Sequence, residues 1–360
     1  MRRVIEAVRA KHGRLWGDSS LLATLAVRMT MNQAGSNLIG QLIEPLVEEG
    51  VKREGYRKLT PQLAPVIMNT KGASASGKST LRPLHRELAD SLNLDWRDFA
   101  LISPDTWRKY LLDYESLGKH YKYAGTCTGH ELRIIDQKLD RHIARKAERG
   151  EVSHLLIDRF RFDSFAPDSD QAGSNLLTRF GSLVYLFFMI TPPPALVERA
   201  WNRGLEVGRF KAVDDVLHHA VEAYQGMPEL FFTWATRSDK KVHYEFLDND
   251  VPRGTRPRTV AFGWNGELTV VDVGALIDVV RFQRINIDAT SPASVYQSTS
   301  SDDSGRFGFL AQCISRLPKV TLVDAYVTFE HGVARAYARV ELDAAQREPF
   351  NPSGPGILGS

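Results

Sequence analysis

The sequence predicts an α/β fold, a parallel sheet flanked by helices, with a helical extension before it and an α+β elaboration after it. Three observations predict it. Between residues 65 and 250, short apolar runs alternate with segments of helical period. The run Val66-Ile67-Met68 leads into Gly72-Ala73-Ser74-Ala75-Ser76-Gly77-Lys78-Ser79-Thr80, and Leu81, Leu84, Leu88 and Leu92 follow at helical spacing. Later apolar runs end in acids or polar caps, where a parallel sheet places its ligand crevice.

The first strand, glycine loop and helix read as one unit. A Gly-x-x-x-x-Gly-Lys-Ser pattern makes physical sense around a phosphate chain: glycines let successive N–H groups turn inward, and the next helix offers its positive end to the same anion. Residues Gly72 to Thr80 are therefore candidates for holding a nucleotide, with Lys78 reaching the β- and γ-phosphates and Ser79 ligating Mg²⁺. A plain Ser/Gly surface loop is the alternative. Pro83 falls just past the first helical turn, which predicts a bend or a tightened turn there.

Phe99 to Ser103 is the next buried strand, and Asp105 follows it. A carboxylate beyond that strand end is placed to accept a hydroxyl proton from an acceptor, although the same side chain can cap a helix starting at Thr106 and Trp107. Trp107, Arg108, Tyr110, Tyr114, His120, Tyr121 and Tyr123 read either as an acceptor wall or as half-buried surface. A helix with Leu132, Ile135, Leu139 and Ile143 on one face is expected from Glu131 to a stop at Gly150. His154 to Asp158 is a strand closed by an acid, so Asp158 is a candidate for Mg²⁺ through water or for the acceptor, or is a simple strand-end aspartate. No second acid stands beside it, which argues against a mechanical ATPase.

Leu183 to Ile190 is the central strand, and Pro192, Pro193 and Pro194 open a helix after Thr191. On that helix Arg199 and Arg203 lie about one turn apart, and Arg209 follows across Gly204 and Gly208. Arginines on a glycine-hinged segment suit a lid that neutralises a transferring phosphoryl group; ordinary surface ion pairing is the alternative. A helix at Asp214–Tyr224 and a strand at Val242–Leu247 complete the core.

From Pro252 the pattern changes. Arg258 to Val271 alternates around Asn265-Gly266, a hairpin signal; Gly274 to Phe282 is helical; Thr290 to Gly308 is a Ser/Asp-rich loop. Val320–Phe329 and Ala334–Leu342 read as two strands around His331-Gly332. The expected organisation is thus a helical extension (1–64), an α/β core (65–250), an α+β region (251–345) and a Gly/Pro/Ser-rich tail (346–360).

Composition narrows the function classes. A formal charge of +3 over 360 residues is too small for a nucleic-acid groove. No apolar run approaches the ~20 residues of a membrane span. Cys127 and Cys313 lack metal-ligand spacing, which argues against a disulfide scaffold or zinc site and suits a reducing cytosol. No signal peptide is visible, and no Asn-Lys-x-Asp motif for guanine occurs, so guanine specificity is not expected.

The order of glycine loop, acid after the second strand, acid after the third and arginines after the fourth resembles the zeta-toxin and polynucleotide-kinase-like branch of the P-loop kinases. Within that branch it is most similar to the plant-pathogen type III effectors of the AvrRxo type. The shared marks are GASASGKST at 72–80, SPDTWR at 103–108 and the arginines at 199–209, and the resemblance covers about residues 65–250. It implies a P-loop kinase core and Mg²⁺-dependent transfer of the ATP γ-phosphate to a small-molecule hydroxyl. In zeta toxins the acceptor is a UDP-amino sugar; in the AvrRxo-type effectors it is the adenosine ribose 3′-hydroxyl of NAD. By that likeness Lys78 and Ser79 hold the donor phosphates and metal, Asp105 is the base, and Arg199, Arg203 or Arg209 supply the lid; Arg108 and Asp158 are candidates for contacting the acceptor. Zeta toxins usually carry Glu-Gly-Thr after the third strand; Asp158-Arg159-Phe160 stands there instead, which favours NAD over a sugar nucleotide. The resemblance further implies a cognate antitoxin or chaperone partner, and a cytoplasmic protein or one delivered to a host cell by a type III system. A polynucleotide 5′-hydroxyl acceptor, or a non-catalytic ATP-binding module, are the competing readings.

Overall fold

The computed structural model describes residues 19–103, 115–123, 142–158, 181–208, 210–296, 305–323, 325 and 327–336. The chain divides into two units, Met1–Lys58 and Leu59–Ser360. In the first, α1 (Ser19–Thr30) passes through a π-helical stretch, Met31–Gly35, into α2 (Ser36–Arg53). Leu38, Leu42 and Leu46 recur at the helical repeat on α2 and are exposed.

The second unit is built on a ten-stranded sheet of order β10-β9-β8-β7-β6-β5-β4-β1-β3-β2. Its strands are β1 (Val66–Lys71), β2 (Phe99–Ile102), β3 (His154–Asp158), β4 (Leu183–Ile190), β5 (Lys241–Asp248), β6 (Arg258–Trp264), β7 (Glu267–Val270), β8 (Lys319–Leu322), β9 (Val327–Glu330) and β10 (Val333–Ala336). The segment β2-β3-β1-β4-β5 is parallel throughout, with Met68 of β1 opposite Leu156 of β3 and Tyr185 of β4. All six residues of β1 are buried, as a strand covered on both faces requires. The parallel α/β core expected from the sequence is therefore present.

The helices that cover this sheet are α3 (Arg82–Ser91), α4 (Pro193–Val207), α5 (Val213–Ala235), α6 (Val273–Phe282) and α7 (Gly308–Arg316). Residues 142–148 are also helical and stop at Gly150, whose φ is +68°. Helix α5 buries Val216, Ala220, Met227, Phe231 and Trp234 along one stripe. There Phe231 meets Tyr244 and Phe246 of β5 and Phe309 of α7 edge-on, at 4.9, 5.3 and 5.8 Å between ring centroids. The opposite face packs Met68, Tyr185, Phe187 and Leu247 under Leu81, Leu84 and Leu88.

Beyond β5 the sheet continues without a break. Strand β6 pairs antiparallel with β5 and then with β7 around the Asn265-Gly266 turn, where Gly266 has φ +76°. Two expectations are corrected here. The run Val320–Phe329 is not one strand: it folds back between Leu322 and Val327, so that β8 and β9 pair antiparallel with Thr321 opposite Thr328. Helix α7 stands just after the Ser/Asp-rich segment, where no helix was expected. Phe309, Leu310 and Cys313 form its buried stripe, which is too short to announce itself by period alone. The tail at 346–360 lies outside the described residues.

Candidate phosphate-binding site

The site is built from the carboxyl ends of β1, β4 and β5, since β1 and β4 are neighbours whose chain connections leave in opposite directions across the sheet. From Lys71 the chain enters the glycine loop. Gly72 is forced by packing: a Cβ there would sit 2.7 Å from both Met189 Cβ and Ser76 Oγ. Ala75 and Gly77 take positive φ, +66° and +93°, while Ser74 and Ser76 beside them do not. Such alternation turns backbone amides toward one concave side. A Cβ on Gly77 would meet Asn249 Nδ2 at 2.3 Å, so this position is closed to other residues on two counts.

Lys78 spans the loop. Its ammonium donates to the carbonyl oxygens of Gly72 and Ala73, each at 2.9 Å, which places the charge over the loop's own start. Ser79 and Thr80 are exposed at the loop's far end, and Thr80 N–H donates back to the Gly77 carbonyl at 2.9 Å. The turn Lys78–Leu81 is a 3₁₀-helix, and α3 begins only at Arg82 with Pro83 in its first turn. The tightened turn expected from Pro83 is what the chain forms: proline lacks the N–H that a first turn leaves unused.

Behind the loop, Thr70 Oγ1 and His85 Nε2 lie 3.0 Å apart and tie the strand before the loop to the helix after it. Burial holds His85 down to about 3, so it is neutral at pH 7. The unfolded chain takes up a proton near pH 6.5 that the folded chain refuses until about 3, so stability falls as pH drops through that window. The slope from this one group is about 1.4 kcal/mol per pH unit. Urea unfolding between pH 7 and pH 4.5 should show His85→Gln losing stability with acid less steeply than wild type; parallel slopes would refute the assignment.

The arginines of α4 divide. Arg199 donates to the backbone carbonyl of Asn249 just past β5. Arg203, one turn on, is half-buried. Gly204 accepts the Phe210 ring where its Cβ would otherwise be, at 2.3 Å, and Gly208 ends the helix with φ +71°. So Gly204 serves close packing and Gly208 serves the helix stop. Lys211 touches His219 Nδ1 on α5, and burial, then the charges of Lys211, His218 and Lys78, push His219 down to about 4. Lys78 of the loop and Lys211 just ahead of α5 thus both lie near His219, a feature that sequence spacing did not disclose.

Asp158 ends β3, opposite Thr70 of β1, with its carboxylate 3.6 Å from the Arg82 guanidinium. No group of three or more metal-type side chains exists among the described residues. Mg²⁺ keeps several waters and takes substrate phosphates as ligands, so the exposed Ser79 hydroxyl and the Asp158 carboxylate are the oxygen donors that would serve it here. Asp105, Arg108 and Arg209 lie outside the described residues, as does most of the aromatic stretch 107–130.

Sheet order and glycine loop together define an α/β protein of the phosphate-loop type. No family model matches the sequence, and no curated protein does. Among solved structures the chain is similar to one from a study of the PezAT chromosomal toxin-antitoxin system of the human pathogen Streptococcus pneumoniae, with 13% identity, a TM-score of 0.39 and coverage of 74% of this chain and 96% of that one. No helix among the described residues is long and apolar enough to cross a membrane.

Proposed function

We propose that this protein is an ATP- and Mg²⁺-dependent phosphotransferase that moves the γ-phosphoryl group to a hydroxyl of a small molecule, with the adenosine ribose 3′-hydroxyl of NAD as acceptor. The observation that carries the reading is the loop itself. A glycine cradle with left-handed turns at Ala75 and Gly77 follows β1, and the Lys78 ammonium lies across it. In this reading Gly72 to Thr80 hold the triphosphate, and Lys78 offsets charge on the β- and γ-oxygens. Mg²⁺ supplies further neutralisation of those oxygens when bound. Asp105 takes the acceptor's hydroxyl proton as the new O–P bond forms and ADP departs. Arg203 and Arg209 supply positive charge to the transferring group from the lid side, and Arg108 orients the acceptor. The NAD assignment rests on the resemblance of 72–80, 103–108 and 199–209 to AvrRxo-type effectors, as do a cognate antitoxin or chaperone and delivery to a host cell.

The test is an acceptor panel with labelled ATP and Mg²⁺. NAD should be consumed and yield an isomer of NADP phosphorylated on the 3′-oxygen. Label appearing instead on a UDP-amino sugar or a polynucleotide 5′-end would overturn the acceptor and keep the enzyme class. ATP binding with no labelled product from any acceptor would overturn the enzyme class and leave a binding module.

A further inference from the structure

We propose that Asn249 is the positioning residue that sets the phosphate-facing direction of the Gly77 amide, and that Arg199 acts on the loop through it. The inference rests on the reading of 72–80 as a phosphate cradle.

A trans peptide unit is planar, so its C=O and N–H point in opposite directions. The unit joining Ser76 to Gly77 is trans, and its carbonyl has two donors on the protein side. Asn249 Nδ2 donates to Ser76 O at 2.7 Å, and Thr191 Oγ1 approaches the same oxygen at 3.5 Å. Those donors come from just past β5 and β4, so the ends of two strands pull one carbonyl inward. The Gly77 N–H is thereby turned the other way, toward the loop's open side. Without those donors the 76–77 plane is free to rotate, because glycine imposes almost no barrier of its own.

Asn249 is itself fixed at every polar atom of its backbone. Its N–H donates to Ile190 O at 2.8 Å, its carbonyl accepts from Arg199, and the residue is 7% exposed. Thr191 is held in the same manner, its N–H donating to Tyr224 Oη at 2.8 Å while that hydroxyl donates to Thr191 O at 2.6 Å. The aim of the Asn249 amide is therefore determined by β4 and α4 together. A guanidinium on α4 reaches the cradle at second hand, by holding the residue that holds the loop.

Asn249→Asp keeps the shape, removes the donor and sets a carboxylate against the Ser76 carbonyl. ATP, ADP and AMP affinities would be measured by calorimetry and ligand-observed NMR on the full chain, with circular dichroism reporting the fold. For Asn249→Asp, ATP and ADP should both weaken by about tenfold or more, and AMP, which has no β-phosphate, by less than about twofold. Arg199→Met keeps the stem and loses the carbonyl's partner. It should weaken ATP and ADP by equal factors, because its effect passes through the loop; a group that touched the γ-phosphate directly would affect ATP alone. ADP binding to Asn249→Asp at wild-type strength, or AMP falling as far as ADP, overturns the proposal. If Asn249→Asp does not fold, an Arg199→Met variant that loses ATP but not ADP overturns it by itself. Wild-type protein that binds no adenine nucleotide overturns the phosphotransferase reading as well, whereas strong wild-type binding with unaffected variants overturns only the role of Asn249.

Discussion

Asp105→Asn should lower phosphoryl transfer by about 10²- to 10⁴-fold in kcat while leaving ATP affinity unchanged. The argument is topological. Strand β2 ends at Ile102 and lies parallel to β3, which lies parallel to β1, so the chain leaving β2 emerges on the same edge of the sheet as the glycine loop. In such sheets that edge is the ligand crevice. An amide at 105 keeps the size and hydrogen-bonding reach of the carboxylate but cannot take a proton. The signature to look for is therefore a loss confined to kcat, with pre-steady-state ATP binding intact. Turnover at the wild-type rate would remove Asp105 from the mechanism; a parallel loss of ATP affinity would make it a structural cap.

Gly77→Ala should produce the opposite signature. Its φ of +93° costs an L-residue about 1–3 kcal/mol, and the new methyl would lie 2.3 Å from Asn249 Nδ2. Either the loop shifts or Asn249 leaves Ser76. Both displace the amide proposed to face the nucleotide, and losing one charge-assisted hydrogen bond of about 1.5–3 kcal/mol corresponds to about a 10- to 150-fold rise in the ATP Kd. Gly254→Ala is the control, because Gly254 has φ +88° with nothing within 4 Å of the added Cβ. It should lose stability to denaturant from the strained φ alone and bind ATP as wild type does. Equal ATP affinity in the two variants would mean that the Gly77 loop does not hold the phosphates.

Much of this architecture can be read from residue patterns. Strands such as Leu183–Ile190 are continuous apolar runs because helices cover both faces of a parallel sheet, and the glycines of 72–80 mark where the chain leaves β1 in a tight loop. What escaped notice has a common cause. In β5, Val242, Tyr244 and Phe246 alternate with His243 and Glu245, which looks like one wet face; both of those polar residues are fully buried. Glu245 finds a donor in the Thr259 hydroxyl at 2.7 Å, a partner contributed by a later strand. Likewise Asn249, Thr191 and Tyr224 have no local signature, because each acts on a residue far away in sequence. Position 249 follows a strand end in an unremarkable Asp-Asn-Asp triplet. Periodicity reports which face of an element is covered, and only the fold reports by what.

The span between Asn249 and Ser76, 173 positions along the chain, also governs how the protein is made. A ribosome releases the glycine loop early, yet both strands that flank β1 are translated later, and the residue that turns the 76–77 peptide comes after all of them. A nascent chain stopped anywhere short of Asn249 lacks the 2.7 Å donor to the Ser76 carbonyl. On the role proposed for Asn249, competence for nucleotide would arrive late in synthesis, only once residue 249 has been added.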